Sequence, residues 1–521
     1  MLTTPSHRAA RRVLVGVAAL SLCGGLAACS STPSTGNPAE GGTFTFGAVA
    51  APPTLNPATG DPSYNPIYQW AYEPLVVLEP DGSFSPGLAT EFGYTDHENK
   101  VYEMTLREGV EFSDGAKLDA EAVKTYLEYE KKQKTTLGQL VSSIETIDVL
   151  SPKRLRLTLN RSDPGLTFYF AQAFGAGNIA SPKAVAKPES LNTTTAGAGP
   201  YMVDPKQSVA GERYTYVPNP HYYAPERIEF DKVVVEVISN PSSMIQAIQA
   251  GKVQAAQGDP TTQKAAEDAG VEVVSAPQAM TGLNLMDRGG SVNKPLADPK
   301  VRRALNLAVD RKAIAQGLYG DADLALSQFA LPGTDGYDPA VEKDLAYDPE
   351  EAERLLAEAG YPNGFTIKAV TVPLMGLDKV VEVIGGDLAK VGVTVKIISK
   401  PTVNDFFTEM VSGEVPTAAL GYGLYNANSL YAGYVAEQGP FNPFHTTDAE
   451  LTKLYTEYFA TPTSESGALE KAINRRLVDQ GWALPVVGAP LSWYVAEGYG
   501  GIEATTQNGA VPHFTELRAG D

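Results

Sequence analysis

Cysteine is nearly missing from this chain: 521 residues contain two, Cys23 and Cys29, both inside the early stretch "RRVLVGVAALSLCGGLAACSSTPSTG". With no thiol after Cys29, the remainder cannot use cysteine catalysis, a disulfide framework or cysteine-ligated zinc. Histidine is almost as scarce. His7, His97, His221, His445 and His513 are scattered, none in H-E-x-x-H or another close metal spacing, and each reads as a surface or loop residue. Positive charge is short as well, with 41 Lys and Arg against 61 Asp and Glu, a net charge of −20. A body this acidic lacks the basic face that phosphate contacts require, so nucleic acid is not an expected partner. There is no G-x-S-x-G elbow, no Walker loop and no G-x-G-x-x-G after a strand. "GAGPY" (197–201) and "GYGG" (498–501) lack a phosphate-loop setting and read as turns. No catalytic residue, metal site or cofactor is expected. The chain does not read as an enzyme, although an extracellular hydrolase whose groups meet only in three dimensions stays open.

What is present begins with an export signal. Arg8, Arg11 and Arg12 precede an uncharged run from Val13 to Ala28, the basic and apolar regions of a signal peptide. Those sixteen residues, broken by Gly24 and Gly25, fall short of the roughly 20 that span a bilayer. Their end, "LAAC", resembles a bacterial lipobox, in which the cysteine is lipidated and becomes the new N-terminus. This makes 1–28 a lipoprotein signal, Cys29 the lipidation site and 29–42 a Ser/Thr/Pro/Gly tether reaching roughly 20 Å. Loss of the signal takes the charge from −20 to −23, since it carries three arginines and no acid. Arg11-Arg12 leaves general and twin-arginine export both open.

The body reads as mixed α/β. "TFTFGAV" (43–49), "RLRLTLN" (154–160), "RYTYV" (213–217) and "KVVVEVI" (232–238) have strand character. Asn240-Pro241, Asp298-Pro299 and Asp348-Pro349 each offer a cap and a first-turn proline before an apolar-periodic run. The run "KVRRALNLAVDRKAIAQGLYG" after Asp298 reads as one packed amphipathic helix with Val301, Leu305, Ala308 and Val309 on a face. "FTIKAVTV" (365–372), "VTVKIIS" (393–399) and "PTAALGY" (416–422) alternate with helical segments in a βαβ layout. Gly82, Gly109 and Gly115 are placed at turns, with Asp114-Gly115 a hairpin signal.

Several segments, taken in order, resemble the dipeptide- and oligopeptide-binding class, family 5, of solute-binding lipoproteins that serve bacterial ABC importers. They are "GGTFTFGAVAAPPTLNPA" (41–58), "YEPLVVLEPDGSFSPGLATEF" (72–92), "YEMTLREGVEFSDGAKLDAEAVKTYLE" (102–128), "GAGPYMV" (197–203), "VPNPHYYAPERIEFDKVVVEVISNPSSMIQAIQAGKVQAA" (217–256) and "GLNLMDRGGSVNKPLADPKVRRALNLAVDRKAIA" (282–315). The resemblance implies a bilobed α/β fold of the periplasmic-binding-protein type, large cluster C, with crossing hinge strands and a cleft that closes over ligand. By analogy, lobe I takes 41–58, 189–279 and 484–521, an inserted extra domain takes 59–188, and lobe II takes 280–483. The implied partners are a small-molecule or peptide ligand and the permease subunits with their cytoplasmic ATPases. The implied body is a monomer held to the membrane by its lipid.

The same resemblance places the ligand at two stretches: Ala50, Ala51 and Pro52 before the "TLNP" motif, and "LGYGLYNANSLY" (420–431), contributing Tyr422, Gly423, Tyr425, Asn426 and Asn428. Peptide binders of this class typically carry Gly-Trp and, three positions later, an Asp that pairs with the ligand's amino terminus. Here the chain has Gly421-Tyr422 and then Tyr425, with no carboxylate until Glu437. An ammonium without a partner is costly to bury, so the expected ligand lacks a free amino terminus, or else an acid comes from elsewhere. Sugars, opines and metal chelates stay open as ligands, as does a signalling or scaffold lipoprotein on the same fold.

Overall fold

The computed structural model describes residues 41–373, 376–423 and 427–520, and of Tyr422 only the main chain. The proposed signal, the Cys29 site and all of the tether but 41–42 therefore lie outside the described residues, as do Tyr425 and Asn426. No described helix is long and apolar enough to cross a membrane.

Two sheets carry the architecture. The strands are β1 (Thr43–Ala48), β2 (Ala89–Tyr94), β3 (Val101–Leu106), β4 (Ile144–Ser151), β5 (Arg154–Leu159), β6 (Tyr201–Val203), β7 (Arg213–Pro218), β8 (Lys232–Val237), β9 (Ala255–Gly258), β10 (Glu272–Leu285), β11 (Thr366–Thr371), β12 (Thr394–Ser399), β13 (Thr417–Tyr422) and β14 (Ala483–Val495). Ten form one sheet in the order β12-β11-β13-β10-β14-β9-β1-β8-β7-β6, and four form a second, β2-β3-β5-β4. In the second sheet Leu155, Leu157 and Leu159 of β5 are buried and alternate with more exposed residues, the pattern of a sheet packed on one face. Short pairs join 76–78 to 84–86 and 499–500 to 518–519.

Every strand read from the alternating or β-branched runs is present within a residue or two at either end. The later half has the expected crossovers: β11 pairs in parallel with both β12 and β13, with helices Leu377–Lys390 and Val403–Met410 between them. Asn240, Asp298 and Asp348 cap their helices, accepting from the amides of Ser243, Lys300 and Glu351 at 2.8–2.9 Å. The hairpin at Asp114-Gly115 forms, with Gly115 at φ +74°. One helix departs from expectation. The run after Asp298 breaks into Pro299–Leu307 and Arg311–Tyr319, because Asp310 caps a new helix by accepting from the Ala313 amide at 3.0 Å. The break turns Arg311 inward. His97, His221 and His445 are exposed as read, whereas the His513 ring is only 11% exposed, and burial pulls its pKa down to about 4.

The apolar residues fall into separate clusters. The largest runs from Phe44 to Leu517, uniting β1, β7 and β8 with the four-stranded sheet. A second gathers β11, β13 and the helices at 299–319 and 377–390. A third holds Leu430, Tyr434, Tyr455 and Tyr458, and a fourth packs helix Pro241–Gln249 against Tyr494. Only β10 and β14, of 14 and 13 residues, run the whole way between the two halves of the sheet.

Candidate functional site

Strand directions locate the cleft. Strand β10 pairs antiparallel with β14 over nearly its full length, from Glu272↔Val495 to Asn284↔Ala483. On one side β9 pairs antiparallel with the end of β14, Gly258 facing Ser492, and β1 runs parallel to β9. On the other side β13 pairs antiparallel with the second half of β10, Thr417 facing Leu285 and Tyr422 facing Met280. Hence β1 and β9 run toward the middle of the crossing pair from one half, and β13 runs toward it from the other. Gly258 stands level with Ser275 and Tyr422 with Met280, five residues apart along β10, roughly 16 Å. The β10–β14 ladder slips between those levels at Pro277/Ala279 and again just past Met280 at Thr281/Gly282. Carboxyl ends of strands from both halves therefore converge where the ladder is irregular, the setting in which open α/β sheets bind ligands.

On the β1 side the chain leaves the strand into a small cavity of about 90 Å³ lined by Phe46, Ala48, Val49, Ala50, Ser63, Tyr64, Pro66, Ile67 and Gln257. Ala50 is exposed there, Ala51 is half-buried and Pro52 is buried. Three tyrosine hydroxyls hold the following main chain. Tyr214 donates to the Pro52 carbonyl at 3.5 Å, Tyr68 to Thr54 at 2.8 Å and Tyr72 to Leu55 at 3.0 Å. Burial pushes the Tyr68 and Tyr72 phenols far up, so both stay protonated donors. Below, Asn56 donates to the Tyr129 hydroxyl at 2.8 Å, tying the segment to helix Ala120–Lys131. The lining contains no charged side chain; its polar groups are those of Ser63, Tyr64 and Gln257.

On the β13 side, Gly423 follows the strand end and is half-buried. Asn428 lies on the short helix Ala427–Leu430, and its amide is committed within the protein: Nδ2 donates to Asp163 Oδ1 at 2.9 Å and to the Tyr169 hydroxyl at 2.7 Å. Ser63, Tyr64 and Gln257 were not among the residues singled out from sequence. They carry no local signal, because the cavity is assembled from segments nearly two hundred positions apart. Among the described residues no group of His, Cys, Asp and Glu is arranged to hold a metal ion.

Comparison with known proteins agrees with this geometry. The profile of bacterial extracellular solute-binding proteins, family 5 Middle, matches residues 83–437. Heme-binding protein A of Haemophilus influenzae is 28% identical over 416 residues, covering 73% of this chain and 74% of its own. The glutathione-binding protein GsiB of Salmonella paratyphi A is 27% identical over 414 residues, covering 76% and 74%. The periplasmic binding protein DppA of Helicobacter pylori, solved with the peptide STSA, superposes with a TM-score of 0.72 at 22% identity over 92% of this chain and 99% of that one. These relatives are substrate-binding proteins rather than enzymes, and the bilobed fold is theirs as well. The chain belongs to the bacterial extracellular solute-binding proteins, family 5, the solute-binding components of ABC importers.

Proposed function

We propose that this protein captures a peptide or peptide-like solute between its two halves and delivers it to the permease of an ABC importer. The observation that carries the reading is the convergence of β1, β9 and β13 on the irregular middle of β10 and β14. Ala50, Ala51 and Pro52 form one wall. Tyr422, Gly423, Tyr425 and Asn426 form the other, the tyrosines offering flat apolar faces with hydroxyl tips. The lobe boundaries are those given above, and the body acts as a monomer and performs no catalysis.

The charge-free lining of the β1-side cavity supports a ligand whose buried end is uncharged there. A thermal-shift panel of Ser-Thr-Ser-Ala, N-acetyl-Ser-Thr-Ser-Ala, glutathione and heme tests this. A ligand at a hundred times its Kd adds about 2.7 kcal/mol to the stability of the native state. Stabilisation by the blocked peptide is expected to exceed that by the free one; stabilisation by free-amino peptides alone would overturn the argument from the missing Asp. Tyr425→Ala is expected to weaken the best ligand at least tenfold by calorimetry, with thermal stability retained. Unchanged affinity removes Tyr425 from the site.

Attachment at the outer face of the cytoplasmic membrane follows from the lipobox resemblance. Cys29→Ser is expected to leave the body folded and move it from the membrane to the soluble fraction. Persistence with membranes would assign the attachment to a retained apolar segment instead.

A further inference from the structure

Four hydrogen bonds, from three donor side chains, join the four-stranded sheet unit to the part of the chain that follows β13. Asn428 Nδ2 donates to Asp163 Oδ1 at 2.9 Å and to Tyr169 Oη at 2.7 Å. Ser162 Oγ donates to the Phe459 carbonyl at 2.6 Å. Asn99 Nδ2, in the turn between β2 and β3, donates to the Thr461 carbonyl at 3.0 Å. The partners are 259 to 362 residues apart in the chain, and the covalent connection between the two halves runs elsewhere, through β10 and β14.

The chemistry of this seam differs from that of the cores on either side. Leu166, Tyr169 and Phe170 belong to the large apolar cluster that begins at Phe44, whereas Leu430, Tyr455 and Tyr458 belong to another. The two clusters stay separate, and the seam between them is closed by side chain to carbonyl and amide to carboxylate bonds. Each of these polar groups can exchange its partner for water when the surfaces part. Asp163 is prepared for both states. Beyond Asn428, Oδ1 accepts from the Gly165 amide at 3.2 Å and Oδ2 from Ser143 Oγ at 2.6 Å, so its carboxylate keeps local donors if Asn428 leaves. Asn99, 1% exposed, adopts φ +52°, a conformation that asparagine tolerates better than most residues.

We infer that this seam is a latch: Asn428 and its partners Asp163 and Tyr169, with Ser162 and Asn99 beside them, hold the cleft closed and part when it opens. Asn428 then acts on closure rather than on the solute. This gives the four-stranded sheet unit a role in the transport cycle, because the wall that follows β13 is held only while that unit is docked. The inference rests on the cleft reading proposed above, but its test needs no solute.

The test is a pulsed electron-electron distance measurement on the full chain with Cys23→Ser and Cys29→Ser, carrying nitroxides at Glu98→Cys and Glu457→Cys, both exposed positions flanking the seam. The parent is expected to give a dominant short distance with a minor longer one. Asn428→Ala should raise the longer population at least threefold, and Ser162→Ala, an independent and milder change at the same seam, should raise it in the same direction. If the parent displays a longer population that neither variant enlarges, the cleft opens without the latch and this inference fails alone. If parent and variants all give one unchanged distance, the seam does not part, which overturns both the latch and the proposed closure.

Discussion

Arg311→Met is expected to remove about 3–5 kcal/mol of unfolding free energy, a large share of the roughly 5–15 kcal/mol typical of a folded protein. Arg311 is 5% exposed, and its guanidinium has no carboxylate within ion-pair distance among the described residues. Its donors instead collect acceptors from three pieces of chain. Nε donates to the Pro485 carbonyl at 2.8 Å, Nη1 to the carbonyls of Asn306 at 2.7 Å and Leu345 at 3.3 Å, and Nη2 to Asn306 Oδ1 at 2.8 Å. Burial draws its pKa down to about 10, which still leaves it charged at neutral pH. Methionine fills similar space but donates nothing, so buried carbonyls of β14 and of two helix ends would lose their partners together. Lysine keeps the charge but cannot spread it over that fan of acceptors, so Arg311→Lys should lose less than Met and clearly more than nothing. Urea unfolding followed by tryptophan fluorescence measures both. A methionine variant within about 1 kcal/mol of the parent would mean that the carbonyls find water, and that the guanidinium is dispensable.

Two further buried arginines repeat the device. Arg302 donates to the carbonyls of Gln480 at 2.8 Å and Leu296 at 2.6 Å. Arg288 lies 3.8 Å from the Trp482 ring and donates to Asn442 Oδ1 at 2.8 Å, fixing the chain that leads away from the β13-side wall. Nothing in "VRRALNLAVDR" distinguishes Arg302 and Arg311 from surface cations. Spacing announces an amphipathic helix and assigns arginine to its wet side. What reverses that assignment is the break at Asp310 and the supply of unpaired carbonyls from segments distant in sequence, which no local pattern encodes.

The same division holds for the fold and the site. Strands β5, β7, β8, β11 and β12 are legible because their runs are alternating or β-branched, and the capped helices because Asx-Pro pairs mark their first turn. The crossing strands are not. "EVVSAPQAMTGLNL" and "ALPVVGAPLSWYV" carry prolines and glycines inside strands, which argue against regular pairing, and the structure spends them at the bulges. Gly282 shows why: a Cβ there would stand 2.1 Å from the Leu484 carbonyl oxygen of the partner strand. The irregularity of these strands is what hides them from periodicity. Ala50 could be named through resemblance, whereas Gln257 reaches the same cavity only because β9 lies beside β1. The stretch 420–431 marks Asn428 only as a candidate for the solute; its partners Asp163 and Tyr169 are visible only in three dimensions.

Glu130→Gln is expected to make the protein more stable at pH 8 and to flatten its loss of stability with rising pH. Glu130 lies on helix Ala120–Lys131, fully buried, with Oε1 accepting from the Tyr126 hydroxyl at 3.2 Å and Oε2 without a partner. No lysine or arginine pairs with it among the described residues; the group that acts on it is the Tyr126 phenol. Burial drives its pKa well above the ordinary carboxyl value and drives the Tyr126 phenol up as well, so the phenol stays a donor. The sign follows from proton counting. Below the ordinary carboxyl pKa both native and unfolded chains hold the proton, and the native state suffers no charge penalty. As pH rises past that value the unfolded chain releases its proton while the native chain retains it, so stability falls until the folded pKa is reached. The loss is about 1.4 kcal/mol for each unit by which the folded pKa exceeds the ordinary one. Glutamine preserves the shape and carries no charge at any pH, so the variant should gain about 1 kcal/mol or more at pH 8 over the parent, with little difference at pH 4. Because the same helix supports Asn56 through Tyr129, affinity for the solute that most stabilises the parent should stay unchanged, separating a stability effect from a binding one. Chemical unfolding of both proteins from pH 4 to pH 9 decides the matter: parallel stability curves would mean that the Glu130 carboxyl ionises in the native state at its ordinary pH.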